Sequence, residues 1–305
     1  MKRFIACLLA AVMLLGALGC EVVELMKPAK DPQPLMWKVT DPDGYTLYLF
    51  GTIHVGDKRS EDVLSHAAKV LDQCDALAVE FDLVAYQKDG GEMMQMLTQY
   101  VLTDGTTIED YMPAETYQQA RALLEDAGLM PDMMKNYNLA MWAQLVESAA
   151  ILTHCNVDSD HAMDLLLLNY AYEKQIPILE VESAAFQANL LGSFDDETYL
   201  EQIEATLQVL DVYDAVIEYE YELWLSGDRD QFWSMIAQQS LVEETGDFND
   251  SLYHQRNASM AKKAMEYIDS GKTVFFAVGA GHMANETGIV QLLIDAGYTV
   301  EQIDY

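Results

Sequence analysis

A chain of 305 residues, 51% of them hydrophobic, is long enough to bury a substantial core, as one large domain or two smaller ones. Lys and Arg total 17 against 50 Asp and Glu, a formal net charge of −33, which excludes a nucleic-acid partner because phosphates would be repelled rather than neutralised. The acids are scattered among apolar residues instead of gathered in runs, so they describe a solvated, mutually repelling surface and not disorder.

The first twenty residues, MKRFIACLLAAVMLLGALGC, read as an export signal. Lys2 and Arg3 form a basic start, an apolar stretch follows, and small residues precede Cys20. A cysteine in that place resembles a bacterial lipobox, although Ala17 stands where leucine is usual. The expectation is removal of residues 1–19, lipidation of Cys20, and an extracytoplasmic protein anchored to the cell membrane. Residues 20–35 carry three prolines and read as a short extended tether. So acidic a body would not adhere to anionic lipid by charge, so the membrane is reached through the N-terminal lipid only. No other stretch approaches the roughly 18 apolar residues of a spanning helix. Cys74 and Cys155 remain outside the signal; outside the cytoplasm they could pair, and two cysteines do not make a structural zinc site.

Along residues 36–305, LMWKVTDPDGYTLYLF reads as two alternating strands joined by Asp-Pro-Asp-Gly, a hairpin signal. Ser60–Gln73 has helical spacing, and DALAVEFDL follows as a short buried strand. From about 91 to 153 the chain turns helical, which reads as a large insertion. TIEDYMPAETYQQARALLEDAGL has a proline near its start and a glycine at its end, and DMMKNYNLAMWAQLVESAAILTH reads as one long, buried helix. NVDSDHAMDLLLLNYAYEKQ predicts a capped helix, and the strand IPILEVE comes after it. Residues 196–269 read as further helices, interrupted at SGDRD and TGDFND, before strand TVFFAVGAG, helix ETGIVQLLIDAG and strand YTVEQI. The predicted class is α/β: a central mixed sheet with a cleft at its strand ends and a helical insertion.

Two apolar strands end in the same device, Gly51-x-x-His54 and Gly279-x-x-His282. Ligands of open α/β sheets gather outside the carboxyl ends of strands, where a sharp turn needs a glycine for positive φ or close backbone approach. Histidine there is a ligand or an acid/base group, or else a ring that packs in a loop and bonds a carbonyl. Glu80 closes the strand ALAVE and Glu182 closes IPILEVE, places where a carboxylate needs a cation or a set of donors. Two histidines with one or two carboxylates suit a divalent metal. Asp158, Asp160, His161 and Asp164 also resemble a ligand cluster, but read better as the acidic first turn of a helix, where carboxylates favour the positive end of the dipole.

The segments LFGTIHVGD, AVEFDL, ILEVESAAFQ, HQRNASMAKKAMEYI and VGAGHMANETGIVQLLIDAGYTVEQI together resemble the TraB/GumN family, which is related to the Tiki metalloproteases and to the pheromone-shutdown proteins of enterococci. The resemblance spans about Met36 to Tyr305. It implies a Tiki/TraB-like fold and a metal-dependent peptidase acting on a peptide or protein, with His54, His282, Glu80 and Glu182 as metal-binding positions. Glu80 and Arg256, from the Arg-Asn motif, are the implied catalytic groups. The relation to Tiki points to manganese or cobalt, with zinc as the other metal that this donor set suits. Gln255 departs from the glutamate common before Arg-Asn, and Asn156 from the glycine common before Val-Asp. A peptide- or pheromone-binding lipoprotein without catalysis, and a haem- or iron-binding one, stay open as alternatives.

Overall fold

The computed structural model describes residues 32–33, 35–240 and 253–303; the expected signal, Cys20, most of the tether and TGDFND lie outside them. Six strands form one mixed sheet: β1 (Met36–Thr40), β2 (Thr46–Thr52), β3 (Ala76–Val79), β4 (Ile178–Glu180), β5 (Val274–Gly279) and β6 (Thr299–Gln302), in the order β4-β3-β5-β2-β1-β6. Thirteen α-helices accompany them among the described residues. They are α1 (Arg59–Leu71), α2 (Leu83–Lys88), α3 (Gly90–Thr98), α4 (Ala114–Asp126), α5 (Pro131–Met134), α6 (Leu139–His154) and α7 (Met163–Lys174). Beyond β4 come α8 (Ala184–Leu191), α9 (Asp196–Gln208), α10 (Tyr213–Ser226), α11 (Arg229–Ser240), α12 (Gln255–Asp269) and α13 (Ile289–Asp295).

The chain divides into two compact units. The sheet unit takes the described residues up to Val84, then Ser159–Ala184, then those from Tyr219 onward; the helical unit takes Ala85–Asp158 and Ala185–Glu218.

In the sheet unit the expected hairpin forms, with Met36 opposite Phe50 and Thr40 opposite Thr46. Its turn is made by Asp41, whose Oδ1 accepts from the N–H groups of Asp43 and Tyr45 at 2.9 and 2.7 Å. β5 then pairs parallel with β2, Gly51 beside Val278 and Thr52 beside Gly279, and parallel with β3 on its other side; β4 extends that parallel set at the edge. β3 and β5 are buried along their whole length, as apolar parallel strands covered on both faces should be. The sheet unit's helix pairs α1 with α7 and α12 with α13 pack together.

In the helical unit α6 packs against α4 and α9, and buries Trp142 against Tyr117 with ring centres 5.6 Å apart. The single long helix expected over DMMKNYNLAMWAQLVESAAILTH is instead two, α5 and α6. Asn138 causes the break: it sits in extended conformation and its side-chain oxygen accepts from the N–H of Met141 at 3.1 Å, so it caps a new helix rather than continuing the old one. Cys74 and Cys155 are free thiols, and burial, with acidic neighbours, pushes both up to about 12.

Candidate active site

Four adjacent parallel strands end side by side, and each hands a polar residue to the same edge. β2 leads to His54, β3 to Glu80, β4 to Glu182, and β5 to a short 3-10 turn, Ala280–Met283, that carries His282. The pairing of β3 and β4 continues just past the strand ends, since the Glu182 N–H donates to the Glu80 carbonyl at 2.8 Å. Gly51 is needed for close approach rather than positive φ: a β-carbon there would meet the Ala280 Cα at 3.0 Å.

Arg256, in the first turn of α12, gathers the two glutamates. Its Nε and Nη2 donate to Oε1 and Oε2 of Glu182 at 2.8 and 2.7 Å, and Nη2 also donates to Glu80 Oε2 at 2.7 Å. The other oxygen of Glu80 accepts from the Gly279 N–H at 2.8 Å. Burial alone would raise the Glu80 carboxyl, but Arg256 and then the two histidines outweigh it and hold it well below the usual carboxylate range. Arg256 is itself shifted up: burial opposes its charge, and the two carboxylates prevail.

The two rings are each fixed through Nδ1. His54 Nδ1 lies 2.8 Å from Asp164 Oδ2, while the Thr52 hydroxyl donates to Asp164 Oδ1 at 2.6 Å. Burial pulls His54 down, yet Asp164, helped by Glu80 and Glu220, lifts it to about 9. His282, only 3% exposed, donates from Nδ1 to Asn257 Oδ1 at 2.6 Å, and its Nε2 stands 3.9 Å from Glu80 Oε1. Burial and the charge of Arg256 push His282 down to about 3, so it is neutral. The free edges converge on Gly279: a methyl group on that residue would lie 3.4 Å from Glu80 Oε1, 3.7 Å from His282 Cδ2 and 3.8 Å from His54 Nε2. Among the described residues, no three His, Cys, Asp or Glu side chains lie close enough together to grip a metal ion as they stand.

All five positions singled out at the strand ends and in the Arg-Asn pair, His54, Glu80, Glu182, Arg256 and His282, therefore share one site. Asp164 is in the first turn of α7, as expected, but it also anchors His54. His161 Nε2 stands 4.0 Å from Glu61 Oε1. Sequence reasoning gave no function to Asn257, Tyr253 or Glu220. Asn257 follows Arg256 directly and shares its buried side; Tyr253 leans on His282 with ring centres 5.3 Å apart. Glu220 is discussed below.

A mixed α/β fold whose parallel strand ends bring two histidines and a buried arginine–glutamate cluster to one edge defines the class. The chain belongs to the TraB/PrgY/gumN family, whose profile matches residues 35–302. It is 23% identical over 259 residues to the uncharacterized protein YbaP of Escherichia coli (strain K12), covering 84% of this chain and 90% of that one. It is also 23% identical to the metalloprotease TIKI1 of Danio rerio, covering 90% of this chain and 64% of that one. No solved structure matches. None of the described helices is long and apolar enough to cross a membrane.

Proposed function

We propose that this chain is a metal-dependent peptidase, exported and held at the membrane by a lipid on Cys20. The observation that carries the reading is the convergence of His54 Nε2, the His282 ring edge and Glu80 Oε1 around Gly279, with both Nδ1 atoms already occupied. Metal-binding histidines characteristically donate their other N–H to a carboxylate or carbonyl, which fixes the tautomer and turns the free nitrogen toward the ion. Two imidazoles and a carboxylate suit manganese, cobalt or zinc. The similarity to a metalloprotease supports the same class of chemistry.

When bound, a divalent ion supplies carbonyl polarisation and an acidic water. The rest is the work of the chain. Asp164 and Asn257 orient the rings, and Glu80 offers Oε1 beside them. Arg256 brings a fixed positive charge to the place where an oxyanion would develop. Glu182, expected as a ligand, has both oxygens taken by Arg256, so in this reading it positions that arginine. Elemental analysis of the purified protein, with a peptide-library cleavage assay in added manganese, cobalt or zinc, tests the proposal. Bound metal with cleavage upholds it. Stoichiometric peptide or haem capture without cleavage under any of the three metals replaces it with a binding function.

A further inference from the structure

The polar atoms at the strand ends are largely spent on one another. Arg256 Nε and Nη2 bind Glu182 and Glu80, the Gly279 N–H donates to Glu80, and the Nδ1 atoms of His282 and His54 are held by Asn257 and Asp164. Arg256 brings charge to a developing oxyanion, but these two nitrogens already have their acceptors. Amide hydrolysis gains most from a donor that is set in place beforehand and aimed at that oxygen.

Tyr253 has the properties of such a donor. It stands three residues before Arg256, and its ring leans on His282 with centres 5.3 Å apart and planes inclined at 58°. The side chain is partly exposed, and its hydroxyl makes no hydrogen bond among the described residues. A tyrosine hydroxyl packed against other groups usually finds a partner. Here the partner has to come from outside the described chain.

The seat of the phenol is written into the sequence. In Gly279-Ala280-Gly281-His282 the second glycine has no positive φ, so backbone conformation does not call for it. Tyr253 does. A β-carbon on Gly281 would lie 2.7 Å from Tyr253 Cε1 and 3.2 Å from both Cζ and the hydroxyl oxygen, so even alanine there would displace the ring. The hydroxyl therefore rests against the turn that carries His282. Two residues earlier is Gly279, around which His54 Nε2, the His282 ring and Glu80 Oε1 converge. Cover for the His282 ring does not explain the hydroxyl, because phenylalanine would provide the same cover.

We propose that the Tyr253 hydroxyl is the hydrogen-bond donor to the oxyanion, an assignment that rests on the peptidase reading. As the scissile carbonyl carbon becomes tetrahedral, its π pair moves to the oxygen and the phenol O–H donates to that oxygen. When the pair returns and the C–N bond breaks, the hydrogen bond relaxes. The phenol keeps its proton throughout, as an ordinary tyrosine does at neutral pH. Such a bond is strongest while the oxygen is charged, so it lowers the barrier more than it tightens ground-state binding.

The test compares the full-length parent with Tyr253→Phe, loaded with manganese or cobalt, on a peptide that the parent cleaves. The expected result is a fall in kcat of about 10²- to 10³-fold, with KM and metal affinity by calorimetry within about threefold of the parent. A phosphinic analogue of the same peptide, whose tetrahedral oxygen takes the oxyanion's place, should bind the variant more weakly by a comparable factor. A kcat within threefold of the parent overturns the assignment and leaves the peptidase reading standing. A kcat loss with the analogue's affinity unchanged also overturns it, since the hydroxyl would then act at another step. So does a matching loss of metal affinity, which would make the hydroxyl part of the metal site. A parent that cleaves nothing under any metal removes the peptidase reading, and the assignment of Tyr253 falls with it.

Discussion

Arg256 clasps Glu182 at two points, Nε to Oε1 at 2.8 Å and Nη2 to Oε2 at 2.7 Å, while the same Nη2 reaches Glu80. One guanidinium is therefore shared between two carboxylates that burial would otherwise penalise. Replacing Arg256 by Met should leave both uncompensated and cost about 3–5 kcal/mol, and Arg256→Lys should recover little, because an ammonium cannot reproduce the fork. Urea unfolding measures this. A normal unfolding midpoint in Arg256→Met, with activity lost, would show that the arginine serves the reaction alone.

His54→Ala and His282→Ala should stay folded, each losing about 1 kcal/mol, the centre of the usual range for point changes. Bound metal should fall with each, and cleavage far more than stability. The double variant should be scarcely worse than either single one, because residues acting as a unit are not additive. Additive, graded losses of ligand affinity in a protein without turnover would instead describe a binder.

Gly279→Ala is a finer probe. The added methyl meets Glu80 Oε1, His282 Cδ2 and His54 Nε2 only at ordinary contact distances, and φ at Gly279 is −48°, so the fold should survive with a Tm within a few degrees of the parent. The same methyl occupies the space between those groups, so metal binding should weaken strongly. Unchanged metal content in this variant would mean that the ion binds elsewhere.

Glu220 makes stability depend on pH. Its carboxyl is raised from 4.5 to about 7 in the folded state, so its contribution is fully present below about pH 4.5 and is lost as the pH rises through 7. The loss is on the order of 3 kcal/mol. Glu220→Gln should unfold at higher temperature than the parent at pH 8 and at a similar one at pH 4. Parallel Tm–pH curves for the two proteins would contradict this.

Cys20→Ser should leave the membrane fraction and lose acyl label. A membrane pool that does not change would overturn the lipid-anchor reading of that cysteine.

The hairpin was legible because Asp-Pro-Asp-Gly has its own turn chemistry, and the strand-end placement of His54, Glu80, Glu182 and His282 because each ends an apolar run. Those signals are local. The break before α6 was hidden by the continuous helical spacing around Asn138, whose capping bond prevails over propensity. Asp164 showed its place in a helix's first turn but not its bond to His54, which lies 110 positions earlier. Glu220 gave no sign at all. In EYEYELW it reads as one of several exposed acids, and only tertiary packing buries it.

The parallel pairing of β2 with β5 also sets an order of events. Thr52 and Gly279 are neighbours in the sheet but 227 positions apart in the chain, so the two histidines meet only after nearly all of it has emerged. A nascent or translocating chain shorter than about residue 282 has no site to close. Any activity that depends on this pair is switched on when β5 joins β2, and a chain crossing a membrane unfolded would first acquire it on the far side.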